Sequence, residues 1–345
     1  MPKKSLFLIL FITLQAAFLL ICCTARDTTK IPIVYSPHYD IKIFGIQRLH
    51  PFDSEKYSKV MLYLTKELHL NQNQFYAPEP VTEEILLQVH TVRYLQSLRK
   101  SKVICEIAET KPLSFIPAAI LDRKILLPMR YAAGGTILGT NLAIKHRWAI
   151  NLSGGYHHAK ADEGSGFCFY ADINLAVQNL HHIDSTMKIM IIDLDAHQGN
   201  GYASIIKDDP RVIIFDMFTY ENYPADQKLY KYMDYKIPLN LNLGDEKYLK
   251  ILKSFLTKAL KKTPPDFIIY NAGTDILAGD KLGKLKVSEK GIIERDAYVF
   301  KQALDNEIPV LMLLSGGYTK ESAEVIGKSI QHLYLEVIGE KESGN

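Results

Sequence analysis

Cysteine is scarce in this 345-residue chain: only Cys22, Cys23, Cys105 and Cys168, with no CxxC pair among them. A zinc-ribbon site is thereby excluded, and a disulfide framework does not suit a body this large. Cys105 and Cys168 read as small buried hydrophobes. A dominant charge is also missing. Lys and Arg number 41 against 38 Asp and Glu, a formal net charge of +3, and no long basic run occurs in the body. That balance gives no electrostatic ground for a direct nucleic-acid partner. Internal repeats, Ser/Gly tracts and low-complexity linkers are absent as well. One domain over residues 31–338 is the economical division, followed by a polar tail at 339–345.

Residues 1–23 stand apart. Lys3 and Lys4 precede an apolar run of 18 residues, 6–23, interrupted only by Thr13 and Gln15. A basic head and an apolar stretch describe a secretion signal, which would be left out of the fold. The length also matches a short membrane anchor, and the terminal Cys22-Cys23 resembles a lipoprotein signal whose preceding residue is unusually large. A buried helix is the remaining reading. The first three readings share one expectation, an exported or membrane-associated protein.

In the body, short apolar runs at 148–152, 188–194, 211–215, 266–270 and 309–314 are dense in Ile, Val, Leu and Met without alternation, and a strand-like stretch at 31–35 precedes them. Runs of this kind predict parallel strands covered on both faces. Helical periodicity separates them at 171–181, 246–260 and 289–304. The fold class expected is therefore α/β: a single-domain, doubly wound parallel sheet with helices on both faces. Ligands in such sheets bind beyond the carboxyl ends of the strands.

Polar and glycine-rich residues gather at just those ends. The first run leads into Ser153-Gly154-Gly155-Tyr156-His157-His158, and the second into the stretch from Asp193 to Gly201, DLDAHQGNG. The fourth leads into Asn271-Ala272-Gly273-Thr274-Asp275 and the last into Ser315-Gly316-Gly317-Tyr318. Asp195 and His197, two apart, point the same way from an extended backbone. With Asp275 from another strand end they make a three-ligand set that leaves a position open for water, as catalytic zinc sites do. An isolated Asp-x-His more often caps a helix; four matching strand ends favour the metal site. His157 or His158 can serve as general base and acid, and Tyr318, freed by its glycines, can donate to an oxyanion. His181-His182 closes a helix and is assigned no role.

The segments GGYHH, DLDAHQGNG, NAGTDILAGDKLGKL and SGGY resemble the zinc-dependent histone deacetylases, in that family's order. IVYSPHYD, LHPFD, VHTVRYL, AINLSGGYHH and EGSGFCFYADI are similar to its class IV branch. Arginase-type enzymes share the fold, but their second metal needs an aspartate where Gly199 stands. The resemblance implies that Asp195, His197 and Asp275 hold zinc, that His158 is the general base, and that His157 is its electrostatic companion. It implies that Asp193 hydrogen-bonds the first histidine, that Tyr318 is the oxyanion donor, and that Gly166 and Phe167 form one wall of an acyl-lysine tunnel. Phe218 is the choice for the opposite wall, a buried core aromatic being the other reading. Two departures stand out. Asn200 replaces the aspartate of class I, and should stabilise a protonated His158 less. Ile214 and Phe215 stand where class I has the serine and leucine of a structural potassium site, so potassium does not carry over.

The function expected is removal of acyl groups from protein lysine by a zinc-dependent amide hydrolase, with iron(II) or cobalt(II) also acceptable to these ligands. Resemblance to class IV implies long fatty acyl groups. The alternatives are an amidohydrolase for acetylated polyamines or other small acylated amines, and a non-catalytic binder of acylated ligands. An inactive relative should lack a ligand or the tyrosine, and neither is missing.

Overall fold

A computed structural model describes residues 30–339 except 44, 46, 48 and 49. The chain divides into two units, 1–31 and 32–345, and the fold is that of the second. The apolar run at 6–23, with every reading attached to it, lies outside the described residues, as does the tail beyond Gly339. Among the described residues no helix is long and apolar enough to cross a membrane.

Seven parallel strands form one sheet in the order β1-β2-β7-β6-β3-β4-β5. They are β1 (Ile33–Val34), β2 (Trp148–Asn151), β3 (Ile189–Asp193), β4 (Val212–Thr219), β5 (Tyr235–Leu239), β6 (Phe267–Asn271) and β7 (Val310–Leu313). Alternate side chains go to opposite faces. Ile189 and Ile191, Phe267 and Ile269, and Leu311 and Leu313 join one core cluster. The helices α2 (Leu127–His146), α3 (Asp172–Ile183) and α4 (Asn200–Ile206) contribute Leu142, Val177 and Ile206 to it. Met190, Ile192, Ile268, Tyr270 and Met312 are equally buried on the other face. There α5 (Asp245–Lys262), α6 (Glu289–Asp305) and α7 (Ser322–His332) pack, with α1 (Lys56–Glu67) against α7. Burial on both faces is why these strands lack alternation, and it makes the sheet doubly wound, as expected.

Two departures from the expected strands matter. The third run continues past Phe215 through Thr219, because Asp216 is buried within the sheet, in register with Asp193 of β3. A carboxylate in an apolar run looks like a strand end, but this one is held inside the ladder. The edge strand β5 was not expected. Its burial alternates, with Ile237 and Leu239 buried and Lys236 and Pro238 exposed, and proline is tolerated at an edge.

The connections turn in opposite directions at the middle of the sheet. From β3 the chain moves outward to β4, and from β6 it moves the other way to β7, while β3 and β6 are neighbours. That reversal opens a crevice at the carboxyl ends of β3 and β6, the place where doubly wound sheets bind ligands.

Candidate active site

The crevice is built from four strand ends. After β2 the chain turns sharply at Gly154 (φ +78°) and Gly155 (φ +85°), a left-handed conformation that side chains resist. The buried Asp172 at the start of α3 fixes the turn, accepting from the amides of Gly155 and Tyr156 at 2.8 Å each and from the Thr136 hydroxyl at 2.7 Å. The turn delivers His157 and His158, both buried, with ring centroids 4.1 Å apart. His157 Nδ1 donates to Asp193 Oδ2 at 2.9 Å. His158 Nδ1 lies 2.9 Å from Asn200 Oδ1 and donates to it. Asp193 also accepts from the Asn271 amide side chain at 3.0 Å, tying β3 to β6.

The two histidines differ in charge. Burial opposes a charge on His157, but Asp193 and Asp195 outweigh it and lift its pKa to about 9. Burial, then the positive charges of His157 and His197, hold His158 well below the usual imidazole range. His157 is thus the cation of the pair and His158 the free base.

Asp195, His197 and Asp275 meet in the crevice, their ligand atoms all within 4.8 Å of one another. His197 Nδ1 is 3.0 Å from Asp195 Oδ1 and 2.8 Å from Asp275 Oδ2. A single proton on that nitrogen can serve only one of the two carboxylates. It goes to Asp195, and buried Asp275 Oδ2 has no hydrogen-bond donor. Burial and then the charge of Asp195 push the Asp275 carboxyl up to about 7. A divalent cation would satisfy all three groups at once, so the residues fit a metal ion. The remaining oxygens are held by donors: Asp275 Oδ1 accepts from the Ala196 amide at 2.8 Å. Asp195 Oδ2 accepts from the Gly316 amide at 2.9 Å and the Ser315 hydroxyl at 3.0 Å.

Tyr318 follows the β7 turn. Its ring centroid is 6.1 Å from that of His197, the same separation as His158 from His197. Burial, then Asp195 and Asp275, keep its hydroxyl well above the usual phenol range and hence protonated. Two buried charges that sequence reading missed hold this turn. Lys56 of α1 donates to the Ser315 carbonyl at 2.5 Å and the Gly316 carbonyl at 3.3 Å, while Asp280 accepts from the Tyr318 amide at 2.9 Å. Burial drops the lysine to about pKa 8 against the pull of Asp195 and Asp275. Nothing local marks Lys56: a lysine on an amphipathic helix reads as surface.

Gly166 (φ +52°) and Phe167 (φ +65°) form a tight turn beside the histidines, where a side chain at Gly166 would strike the His158 ring. Phe167 packs 6.1 Å from Tyr318 and 6.0 Å from Phe52. Phe218 is not part of this surface. It is 2% exposed, lies in the core cluster under α2 to α4, and packs on Tyr230. The reason is the extended β4: position 218 is still in the sheet. The aromatic ring opposite Gly166 is Tyr223, in the loop after β4, 4.9 Å from the His158 ring and 43% exposed. Ile214 and Phe215 are likewise core residues, and the β4 group that faces Asp193 is Asp216. Burial and the Asp193 charge keep Asp216 well above the carboxylate range, protonated. Cys105 and Cys168 are free and buried, and burial raises both thiols, as inert cysteines require.

With the geometry in place, three comparisons bear on it. The histone deacetylase domain matches residues 50–333. Histone deacetylase 2 of Arabidopsis thaliana is 43% identical over 305 residues, covering 88% of this chain and 79% of that protein. An uncharacterized protein of a Picosynechococcus strain is 32% identical, covering 86% and 94%. Among solved structures, the HD domain of HDA15 superposes with a TM-score of 0.70 at 19% identity, covering 89% of this chain and 91% of that one, which shows the shared fold.

The two aromatics after Asp216 separate core from surface. Phe218→Ala should destabilise the protein by about 3–5 kcal/mol in chemical denaturation, as buried phenylalanine truncations do. Tyr223→Ala should stay within about 0.5 kcal/mol of the parent. Equal losses for both would return Phe218 to the surface of the crevice.

Proposed function

Because this chain belongs to the histone deacetylase family, we propose that it is a metal-dependent hydrolase that removes acyl groups from lysine side chains. The observation that best supports this is the meeting of Asp195, His197 and Asp275, with the His158 and Tyr318 rings each 6.1 Å from that of His197. Asp195, His197 and Asp275 would hold a divalent ion, zinc in the first place, which would supply Lewis acidity toward the amide carbonyl and toward water.

The chain's own groups do the rest. His158 Nδ1 is engaged with Asn200, so Nε2 takes the proton from the attacking water and passes it to the leaving nitrogen. His157, held by Asp193, keeps a positive charge beside the negative charge that develops. The Tyr318 hydroxyl donates to the carbonyl oxygen as it gains that charge. The products are a carboxylate and a free amine. Gly166, Phe167 and Tyr223 flank the approach and exclude water from an aliphatic stem.

Chelation should abolish hydrolysis of an acyl-lysine peptide, and zinc or cobalt should restore it. Tyr318→Phe should lower kcat ~100- to 1000-fold, with metal content and melting temperature nearly unchanged. Full turnover in thoroughly metal-stripped protein, or a marginal effect of the tyrosine change, would refute the assignment.

A finer reading has its own support. An apolar cavity of about 300 Å³ is lined by Phe52 and Phe167 together with Ile41, Leu113, Ile125 and Met129 among others. A long acyl chain placed there gains roughly 0.8 kcal/mol per buried methylene. The preferred substrate is then a fatty-acylated lysine. In a series of acetyl, octanoyl and myristoyl lysine peptides, kcat/KM should rise with chain length. Better turnover of the acetyl peptide would instead favour small amides such as acetylated polyamines.

A further inference from the structure

One fully buried cation lies outside the groups used so far. Arg295 of α6 has no exposed surface, and its side chain reaches the carboxyl ends of β3 and β6 from behind. Nη1 donates to the Gly273 carbonyl at 2.6 Å and, more weakly, to the Leu194 carbonyl at 3.4 Å. Nη2 donates to the Ala272 carbonyl at 3.2 Å and Nε to Asp296 Oδ1 at 2.8 Å. Leu194 immediately precedes Asp195, and Ala272 and Gly273 lie three and two residues before Asp275. One planar guanidinium therefore bridges the two backbone segments that carry the carboxylate ligands, on the two sides of the crevice.

The contact is close. A Cβ on Gly273 would sit 2.2 Å from Asp195 Oδ2 and 2.6 Å from its Cα, so the loop Arg295 holds is pressed against the ligand itself. The far side of the network is also fixed. Asp296 accepts from the Tyr270 hydroxyl of β6, and its other oxygen accepts from the Ser329 hydroxyl of α7 at 2.5 Å. A buried arginine aimed at main-chain carbonyls is costly unless its fork is engaged, and here four donated bonds engage all three of its nitrogens.

We infer that Arg295 is a positioning residue for the metal centre, setting the separation of Asp195 and Asp275 by clamping the carbonyls of residues 194, 272 and 273 to one guanidinium. The inference rests on the metal-dependent reading above. It requires the fork as well as the charge, so lysine is not an adequate substitute.

Cobalt(II) is the probe. Metal-stripped protein is titrated with it while the visible absorption bands are recorded, and affinity is measured by competition with a chelator. Absence of any cobalt spectrum in the parent protein would overturn the proposed function and this inference together. Given a parent spectrum, Arg295→Lys should bind cobalt roughly 10- to 100-fold more weakly and shift its bands, as changes to groups that orient metal ligands do. The double variant Arg295→Met with Asp296→Asn removes both charges together and should behave likewise. Val299→Ala, a packing change on the same helix, should lower the melting temperature and leave spectrum and affinity alone. Parent-like spectra and affinities in both Arg295 variants would overturn the inference. So would a failure of both to fold even with metal, since the residue would then be structural.

Discussion

Asp193, Asp195, Asp216 and Asp275 are all buried on or just beyond three adjacent strands, β3, β4 and β6, and that much carboxylate in so small a volume must be compensated. The surrounding structure supplies the compensation in several forms. Asp216 keeps its proton. Amides of Ala196, Gly199 and Gly316 point at carboxylate oxygens. His157 carries a charge because two carboxylates face it, and the charge of the buried Lys56 is drawn by Asp195 and Asp275. Among the metal-ligating groups, the oxygen left without a donor is Asp275 Oδ2, on the cluster suited to a cation.

Backbone geometry serves the same end. Side chains could not approach one another this closely from ordinary loops, so glycines stand where two loops touch. Gly155 lies against Asn271 and Ser315, and Gly316 lies against both Asp195 and Asp275. The turns are then locked by polar groups: Asp172 on the β2 turn, Lys56 and Asp280 on the β7 turn. Catalytic geometry of this kind depends on preorganised donors rather than on flexible side chains.

How much of this was legible in the sequence follows from what each residue's neighbours in the chain reveal. Both-face burial writes itself into continuous apolar runs, so the central strands and the sense of the fold could be read directly, and with them the residues just beyond the strand ends. Asp216 misled because a buried carboxylate breaks the apolar run without ending the strand, and that error carried over to Phe218. The edge strand β5 hid behind its own alternation and Pro238. Lys56, Asp172, Asp280 and Arg295 could not be found at all, since each is defined by partners at distant positions in the chain, as Lys56 is by Ser315.

The two aromatics flanking His158 and Tyr318 come from separate loops: Phe167 from the stretch after β2, Tyr223 from the stretch after β4. Neither loop contains a ligand of the centre of two carboxylates and one imidazole at the ends of β3 and β6, although the first also carries His157 and His158 ahead of Phe167. The width of the entrance is therefore a variable that exchanges at Phe167 and around Tyr223 can change while the metal-ligating residues stay constant. Descendants of one such scaffold could diverge in what they admit long before they diverge in what they do to it.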